Sequence, residues 1–283
     1  MSHIYIINSR GEKEIFSESK LYNSVKRVAI SNDLAKEIFN SVKNEIYPGI
    51  TTLEIFSKIK KLLHKSSKPG AMRFNLKDGM RKLGPTGFLF EKFIAEIFEN
   101  LGYQVKIDQY LPGHCVKNYE IDLVAQKDDL VYVGECKYRN LAGEMVHQTD
   151  ALANYARFQD ILSGSYFKQE KYNNCKIKTI LITNTKFTNN AYDYSSCMGI
   201  DLLGWNTPKD EGLQNIIDRH QLYPITLLSS LKGYLKDIMV SEEIMLVSDV
   251  LKINPEDFAK KFKLPVSSVL SLVKEAKAVL AST

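Results

Sequence analysis

The sequence has few of the features that mark membrane-embedded or disulfide-bonded proteins. No apolar run in the chain approaches the roughly 20 residues that a helix needs to span a bilayer. The 4 cysteines are scattered and form no Cys-x-x-Cys pair, which argues against a disulfide framework or a zinc site. Internal repeats and low-complexity segments are absent as well. We therefore expect a cytoplasmic protein with reduced thiols and no membrane partner.

The composition that remains is that of an ordinary globular protein. The hydrophobic fraction is 44% and the charged fraction is 25%. A chain of 283 residues is long enough for about two or three domains. The formal net charge of +5 permits a nucleic-acid partner but does not demand one. Composition therefore leaves the function open, and local patterns have to decide it.

Turn-forming segments divide the sequence into three parts. The first, residues 1–84, has two short predicted strands around a Ser-Arg-Gly turn, followed by four predicted helices, the last over residues 71–83. The second, residues 85–222, begins at a Gly-Pro-Thr-Gly turn and mixes helices with β-branched strands. The third, residues 223–283, is predicted to be helical. The fold class predicted from this order of elements is α/β.

Two predicted strands of the second part carry charges at positions that are otherwise built for burial. Asp122 lies in the strand at 119–125, and Glu135 and Lys137 lie in the strand at 131–138. Glu135 and Lys137 are two residues apart, so they project from the same face. The turn between the strands closes a hairpin that brings Asp122 beside them. Because burying charge is costly unless it is paired or ligates a metal, the pattern predicts a divalent-metal site with an adjacent lysine.

The chemistry of such a site follows from its ligands. Carboxylate oxygens of Asp122 and Glu135, a neighbouring main-chain carbonyl and waters are suitable ligands for Mg²⁺ (or Mn²⁺). The metal would lower the pKa of a bound water and screen the charge of a phosphate. Lys137 would orient or help deprotonate that water and stabilise the transition state. The alternative is a charged edge strand in which Glu135 and Lys137 pair in solvent.

These residues resemble the PD-(D/E)xK nuclease superfamily, and in particular its Mrr-like restriction endonucleases. The matching segments are Ile121–Ala125, Gly134–Tyr138 and the predicted helix Gly87–Ala95, with Ile121 where the superfamily's name has proline. The resemblance covers about residues 85–222. It implies a mixed sheet flanked by helices and metal-dependent cleavage of DNA, with defence against foreign DNA as the biological role.

The same resemblance adds two supporting residues, Glu91 and Gln148. Glu91 matches a glutamate on the first helix of the nuclease fold, and it borders the buried stripe of its own predicted helix. Gln148 matches a glutamine on the helix after the lysine strand, predicted here over 143–162. Either residue would otherwise be a solvated surface side chain. Because cutting both strands of DNA needs two sites, a homodimer or higher homo-oligomer is expected.

The first part of the chain resembles the ATP-cone, a nucleotide-binding regulatory module. The resemblance implies ATP or dATP as an effector, with Arg10, Lys20 and Arg27 as the cationic residues that would bind its phosphates. The alternative is a small helical interaction domain with a solvated lysine face. The residues that carry the resemblance are Gly11, Glu14, Phe16, Lys20, Leu21, Ser24, Arg27 and 71–76.

The third part, with lysines at 260, 261 and 263 before Leu264-Pro265, resembles a helix–hairpin–helix unit that docks on the DNA backbone. A packing or dimerisation domain is the alternative. Together the three parts predict a Mg²⁺-dependent DNA endonuclease that is regulated by an adenine nucleotide. The alternatives are a repair or junction-resolving nuclease, and a nucleotide-sensing DNA-binding protein with a vestigial nuclease site.

Overall fold

The computed structural model describes residues 4–84 and 87–281. The chain forms two compact units: the first combines residues 1–80 with 223–283, and the second comprises residues 81–222. The limits of the second unit lie close to those expected from the sequence, although Pro85 and Thr86 of the predicted boundary turn lie outside the described residues. The terminal parts, expected as separate domains, belong to one unit.

The N-terminal part of the first unit is a β-hairpin followed by helices that begin at side-chain caps. The hydroxyls of Ser17, Ser31 and Thr51 each accept a hydrogen bond from a main-chain N–H in the first turn of the helix that follows. The predicted fourth helix is in fact two helices, because Asn75 ends the first of them. The elements are β1 (Tyr5–Ile7), β2 (Lys13–Ile15), α1 (Glu18–Lys26), α2 (Asn32–Lys43), α3 (Thr52–Ser66), α4 (Lys68–Phe74) and α5 (Leu76–Arg81).

A five-stranded mixed sheet with helices around it forms the second unit. Its strand order is β3-β4-β5-β7-β9; the first three strands pair antiparallel and the last three parallel. This confirms the predicted mixed α/β architecture. The elements are α6 (Phe88–Asn100), β3 (Gln104–Leu111), β4 (Tyr119–Lys127), β5 (Leu130–Lys137), β6 (Met145–Val146), α7 (Gln148–Ser163), β7 (Lys176–Thr183), β8 (Lys186–Phe187), α8 (Asn189–Met198), β9 (Asp201–Leu203) and α9 (Leu213–His220).

Helix α7 begins five residues later than the predicted start at 143. The reason is tertiary: Met145 and Val146 form β6, which pairs in parallel with Lys186 and Phe187 of β8. The helix can start only after this bridge, at Gln148.

Helices α6 and α7 cover opposite faces of the sheet. On one face, Phe98 of α6 meets the ring of Tyr132 at a centroid distance of 6.4 Å. On the other face, Asn154 of α7 donates a hydrogen bond to Thr179 Oγ1 on β7 at 2.9 Å, and Thr179 Oγ1 in turn donates to the carbonyl of Val133 at 3.0 Å. Because side chains alternate along β5, Glu135 lies on the same face as Val133, the face that α7 covers.

The C-terminal part completes the first unit by packing against its N-terminal part. Thr226 Oγ1 donates a hydrogen bond to the carbonyl of Gly79 at 2.7 Å, and helix α13 contacts α4. These contacts explain why the two ends of the chain form one unit. The helices of this part are α10 (Gly233–Ser241), α11 (Val247–Val250), α12 (Pro255–Phe262) and α13 (Val266–Ala281).

Across the described ranges, no helix combines the length and the apolar character that crossing a membrane requires.

Candidate active site

The candidate site lies where β4 and β5 separate. Their described ladder runs from the Lys127–Leu130 pair to the Leu123–Gly134 pair. Beyond it, Asp122 Oδ2 accepts a hydrogen bond from the main-chain N–H of Cys136 at 2.7 Å. The N–H of Cys136 is therefore bound by a side-chain carboxylate of β4 and not by a main-chain carbonyl of that strand. This hydrogen bond holds Asp122 beside Glu135.

Glu135 is a buried carboxylate held between two cations. It is only 5% exposed. Its Oε1 accepts a hydrogen bond from Lys137 Nζ and its Oε2 accepts one from Arg157 Nη1. A buried carboxylate is tolerated when it is paired in this way. Glu135 and Lys137 therefore lie together as predicted from strand alternation, and Arg157 of α7 joins them.

Arg157 is the residue of this cluster that the sequence analysis missed. It lies on the stripe of α7 that faces the sheet, next to buried Asn154, Phe158 and Ile161. Helical neighbours three and four residues apart share a face, so an arginine at this spacing points toward the sheet. The detectable signal was a cation inside an otherwise buried helical stripe.

Two acids of the site have raised pKa values because they are buried near other carboxylates. Burial, and secondly the charge of Glu135, raise the pKa of Asp122 to about 6, although the Cys136 N–H and the nearby cations act in the opposite direction. Burial, and secondly the charges of Asp122 and Asp108, raise the pKa of Glu91 to about 7. Desolvated carboxylates that repel one another favour a shared proton or a bound cation.

Two cavities open on either side of this cluster, each with a volume of about 390 Å³. Glu135 and its neighbour Lys137 open onto different cavities, so their ion pair lies between the two. The first cavity is lined by Asn118, Tyr119, Glu120, Asp122, Glu135 and Arg157. The second is lined by Gly87, Cys136, Lys137, Tyr138, Arg139, Asn140 and Glu144.

The donor set fits a hard divalent cation that keeps part of its water shell. Within the described ranges, no group of three or more His, Cys, Asp or Glu side chains forms a ready-made metal cage. Mg²⁺ does not need one, because it commonly binds one or two carboxylates and retains several waters. Asp122 and Glu135 supply two carboxylates. Burial, and secondly the charge of Glu135, raise the pKa of Asp122, and a bound cation would offset both effects.

The two supporting residues from the sequence analysis are placed differently. Glu91 lies in the first turn of α6 and is electrostatically coupled to Asp122. Gln148 is the first residue of α7, lines neither of the two cavities described above and makes no hydrogen bond to Asp122 or Glu135 in the described structure. The structure therefore brings Glu91 to the predicted acids, whereas Gln148 forms no hydrogen bond with them among the described residues.

The three predicted nucleotide-binding residues are spread over the N-terminal part of the first unit. Arg10 lies in the turn between β1 and β2 and pairs with Glu12 at 2.7 Å. Lys20 lies in the first turn of α1, whereas Arg27 follows its last residue, about 10 Å further along the helix axis. A cavity of about 470 Å³ in this unit is lined by other residues, namely Tyr5, Ile7, Lys13, Pro48 and Gly49.

Fold and site together define a mixed α/β protein with a charged cleft at the point where two strands of its sheet separate. Residues 223–280 match the family described as AF1548-like, C-terminal. A protein of Archaeoglobus fulgidus, named "Uncharacterized protein", is 32% identical over 187 residues, which span 66% of this chain and 99% of the relative. The solved "Crystal Structure of Protein of Unknown Function AF1548" is 29% identical, with a TM-score of 0.58, and the match covers 70% of this chain and 100% of that one. The chain belongs to the AF1548-like family.

Proposed function

We propose that this protein is a metal-dependent DNA endonuclease of the Mrr-like PD-(D/E)xK type. The observation that carries the proposal is the meeting of Asp122, Glu135 and Lys137 at the end of the β4–β5 ladder. Two carboxylates on one cavity, with an ammonium group bound to one of them, are the groups that hydrolysis of a phosphodiester requires. The AF1548-like relatives do not bear on this activity, so the proposal depends on the site.

Each residue has a role in this reaction. Asp122 and Glu135 would hold Mg²⁺ or Mn²⁺, which when bound supplies an activated water and neutralises phosphate charge. Lys137 orients the attacking water and stabilises negative charge that develops on the phosphate. Glu91, with a pKa of about 7, can exchange a proton near neutral pH. Gln148 has no assigned step, because among the described residues it forms no hydrogen bond with any of these groups.

The proposed substrate is DNA, and the first unit would regulate its cleavage. The net charge of +5 is compatible with binding to a polyanion. ATP or dATP is proposed as the effector on the basis of the ATP-cone-like hairpin and helices, and the C-terminal helices are proposed to dock on DNA. Cleavage of both strands would require a homodimer or higher homo-oligomer. Calorimetry with ATP and dATP tests the effector: a wild-type protein that gives no heat with either nucleotide would remove the regulatory proposal.

The nuclease proposal is tested by cleavage of plasmid and branched DNA with Mg²⁺ or Mn²⁺, with and without ATP. The wild type should cut, and Lys137→Ala should reduce the rate by about 100-fold or more, since it removes a charge that stabilises the transition state. Lys178→Ala is the matched control, because Lys178 is also a strand lysine paired with an acid, Asp201. Its side chain is 27% exposed and that of Lys137 is 29% exposed. The control should cut at the wild-type rate.

The outcomes separate the alternatives. If the wild type and Lys137→Ala cleave DNA at the same rate, or if neither cleaves it, the catalytic assignment is overturned. An inert wild type that still binds DNA would favour a vestigial site. A strong preference for branched over linear duplexes would favour the repair or junction-resolving alternative.

A further inference from the structure

Arg157 forms an ion pair with Glu135, and the proposed reaction gives it no role. Its Nη1 donates to Glu135 Oε2 and lies 3.4 Å from the carbonyl oxygen of Glu120. A guanidinium carries five N–H donors in a planar fork. In the described contacts, its hydrogen bonds are made by Nη1. Arg157 also lines the cavity that Asp122 lines, so its remaining N–H donors can serve a ligand there.

The backbone that carries Arg157 is fixed on both sides. One turn before it, Asn154 is buried and hydrogen bonded to Thr179 of the sheet. One turn after it, the Asp160 carboxylate accepts hydrogen bonds from the N–H groups of Cys115 at 2.8 Å and Val116 at 3.1 Å. The second anchor ties the β3–β4 connection, which ends at the cavity wall, to α7. Arg157 is therefore presented to the cavity from a rigid support, as a ligand-binding group should be.

The charges of the cleft indicate what this guanidinium can bind. When Asp122 and Glu135 are ionised, Lys137 and Arg157 balance them. Glu120, which lines the same cavity, adds one further negative charge. A divalent cation held by Asp122 and Glu135 would bring two positive charges, so these five side chains and the cation would together carry an excess of one positive charge. The ligand that this excess favours is a phosphate group, which a guanidinium binds through two parallel hydrogen bonds.

We propose that Arg157 is a phosphate-binding residue that contacts the DNA backbone at the site, with its guanidinium held by Glu135 until DNA arrives. The proposal rests on the proposed nuclease function and names a further contact for its substrate. The competing explanation is that Arg157 only positions Glu135. The two differ in one measurable quantity, because only a phosphate contact releases counterions from DNA.

The experiment measures binding of a fluorescent DNA duplex to the full chain by anisotropy over a range of salt concentrations, in Ca²⁺, with a gel at the end to verify intact DNA. Arg157→Ala should lower the slope of log affinity against log salt by about 0.9, the value for one lost phosphate contact. Arg157→Lys keeps the charge and should retain the wild-type slope. Lys178→Ala, which removes a strand lysine paired with Asp201, should also retain it.

If the wild type binds and cleaves DNA but Arg157→Ala has the wild-type salt slope, the role of Arg157 is overturned and the nuclease proposal stands. A wild type that neither binds nor cleaves DNA overturns both. Folding of each variant is checked through the fluorescence of Trp205, the single tryptophan of the chain, which is 5% exposed in the second unit. If Arg157→Ala does not fold, Arg157→Gln carries the same expectation, since it removes the charge but retains hydrogen-bond donors toward Glu135.

Discussion

Replacing Asp122 by asparagine should make the metal-free protein more stable at pH 8, because burial, and secondly the charge of Glu135, make the ionised carboxylate unfavourable. The pKa of Asp122 rises from its usual 3.8 to about 6, first through burial and then through the charge of Glu135. One pH unit corresponds to about 1.4 kcal/mol, so keeping this carboxylate ionised costs about 3 kcal/mol, which screening by solvent reduces to about 2 kcal/mol. Asparagine keeps a side-chain oxygen that can accept the hydrogen bond from the main-chain N–H of Cys136.

The pH dependence gives the sign of the effect. A carboxyl whose pKa is raised by folding stabilises the folded state below its usual pKa, and this contribution is lost as the pH rises through the folded value. The free energy of unfolding of the wild type should therefore equal that of Asp122→Asn near pH 4. At pH 8 it should be lower by about 2 kcal/mol. Urea unfolding followed by Trp205 fluorescence, which reports on the second unit, measures the difference.

Two further arms make the test specific. Mg²⁺ added at about 100 times its dissociation constant should stabilise the wild type by about 2.7 kcal/mol and leave Asp122→Asn nearly unchanged. Asp201→Asn is the control, because Asp201 accepts hydrogen bonds from Tyr132 and Lys178 and its ionised form is favourably paired. It should lose stability at pH 8. The reasoning is refuted if Asp122→Asn is the less stable protein at pH 8, or if its gap to the wild type does not change with pH.

Three other predictions follow from the structure. The pKa of Glu91, raised to about 7 mainly by burial, should appear as a rise of the cleavage rate through about pH 7 that Glu91→Gln lacks; the same rise in both proteins would contradict its role. Hydrogen bonds from main-chain N–H groups, first that of Cys115, lower the pKa of Asp160 to about 2. The Cys115 and Val116 amides should therefore be protected from hydrogen exchange above pH 2, and they should lose this protection in Asp160→Ala. Thr226→Val removes the hydroxyl bound to the Gly79 carbonyl and should destabilise the first unit by about 1 kcal/mol in urea unfolding followed by circular dichroism, whereas an unchanged midpoint would refute the contact.

Local signals in the sequence determined most of the helices and strands. Helix starts follow capping residues such as Ser17 and Thr51, whose hydroxyls satisfy main-chain N–H groups within the next turn. The β4–β5 hairpin closes over the short turn at 128–129, so Asp122 and Glu135 could be placed together from spacing alone. These interactions span few residues, which is why the sequence is enough to predict them.

Tertiary structure decided how distant segments meet. Arg157 reaches Glu135 from 22 residues away, across the packing of α7 on the sheet, and no spacing rule fixes that contact. The start of α7 depends on the pairing of β6 with β8, and the joining of the two chain ends depends on contacts such as that from Thr226 to Gly79.

The electrostatic character of the site follows the same division. Strand alternation and a short turn are local features, so the amino-acid sequence is enough to predict which acids and which lysine share a hairpin. Only the tertiary structure buried Asp122 and Glu91 beside other carboxylates and so raised their pKa values. Burial and long-range charge depend on every element packed around a residue, and a local pattern of sequence does not contain that information.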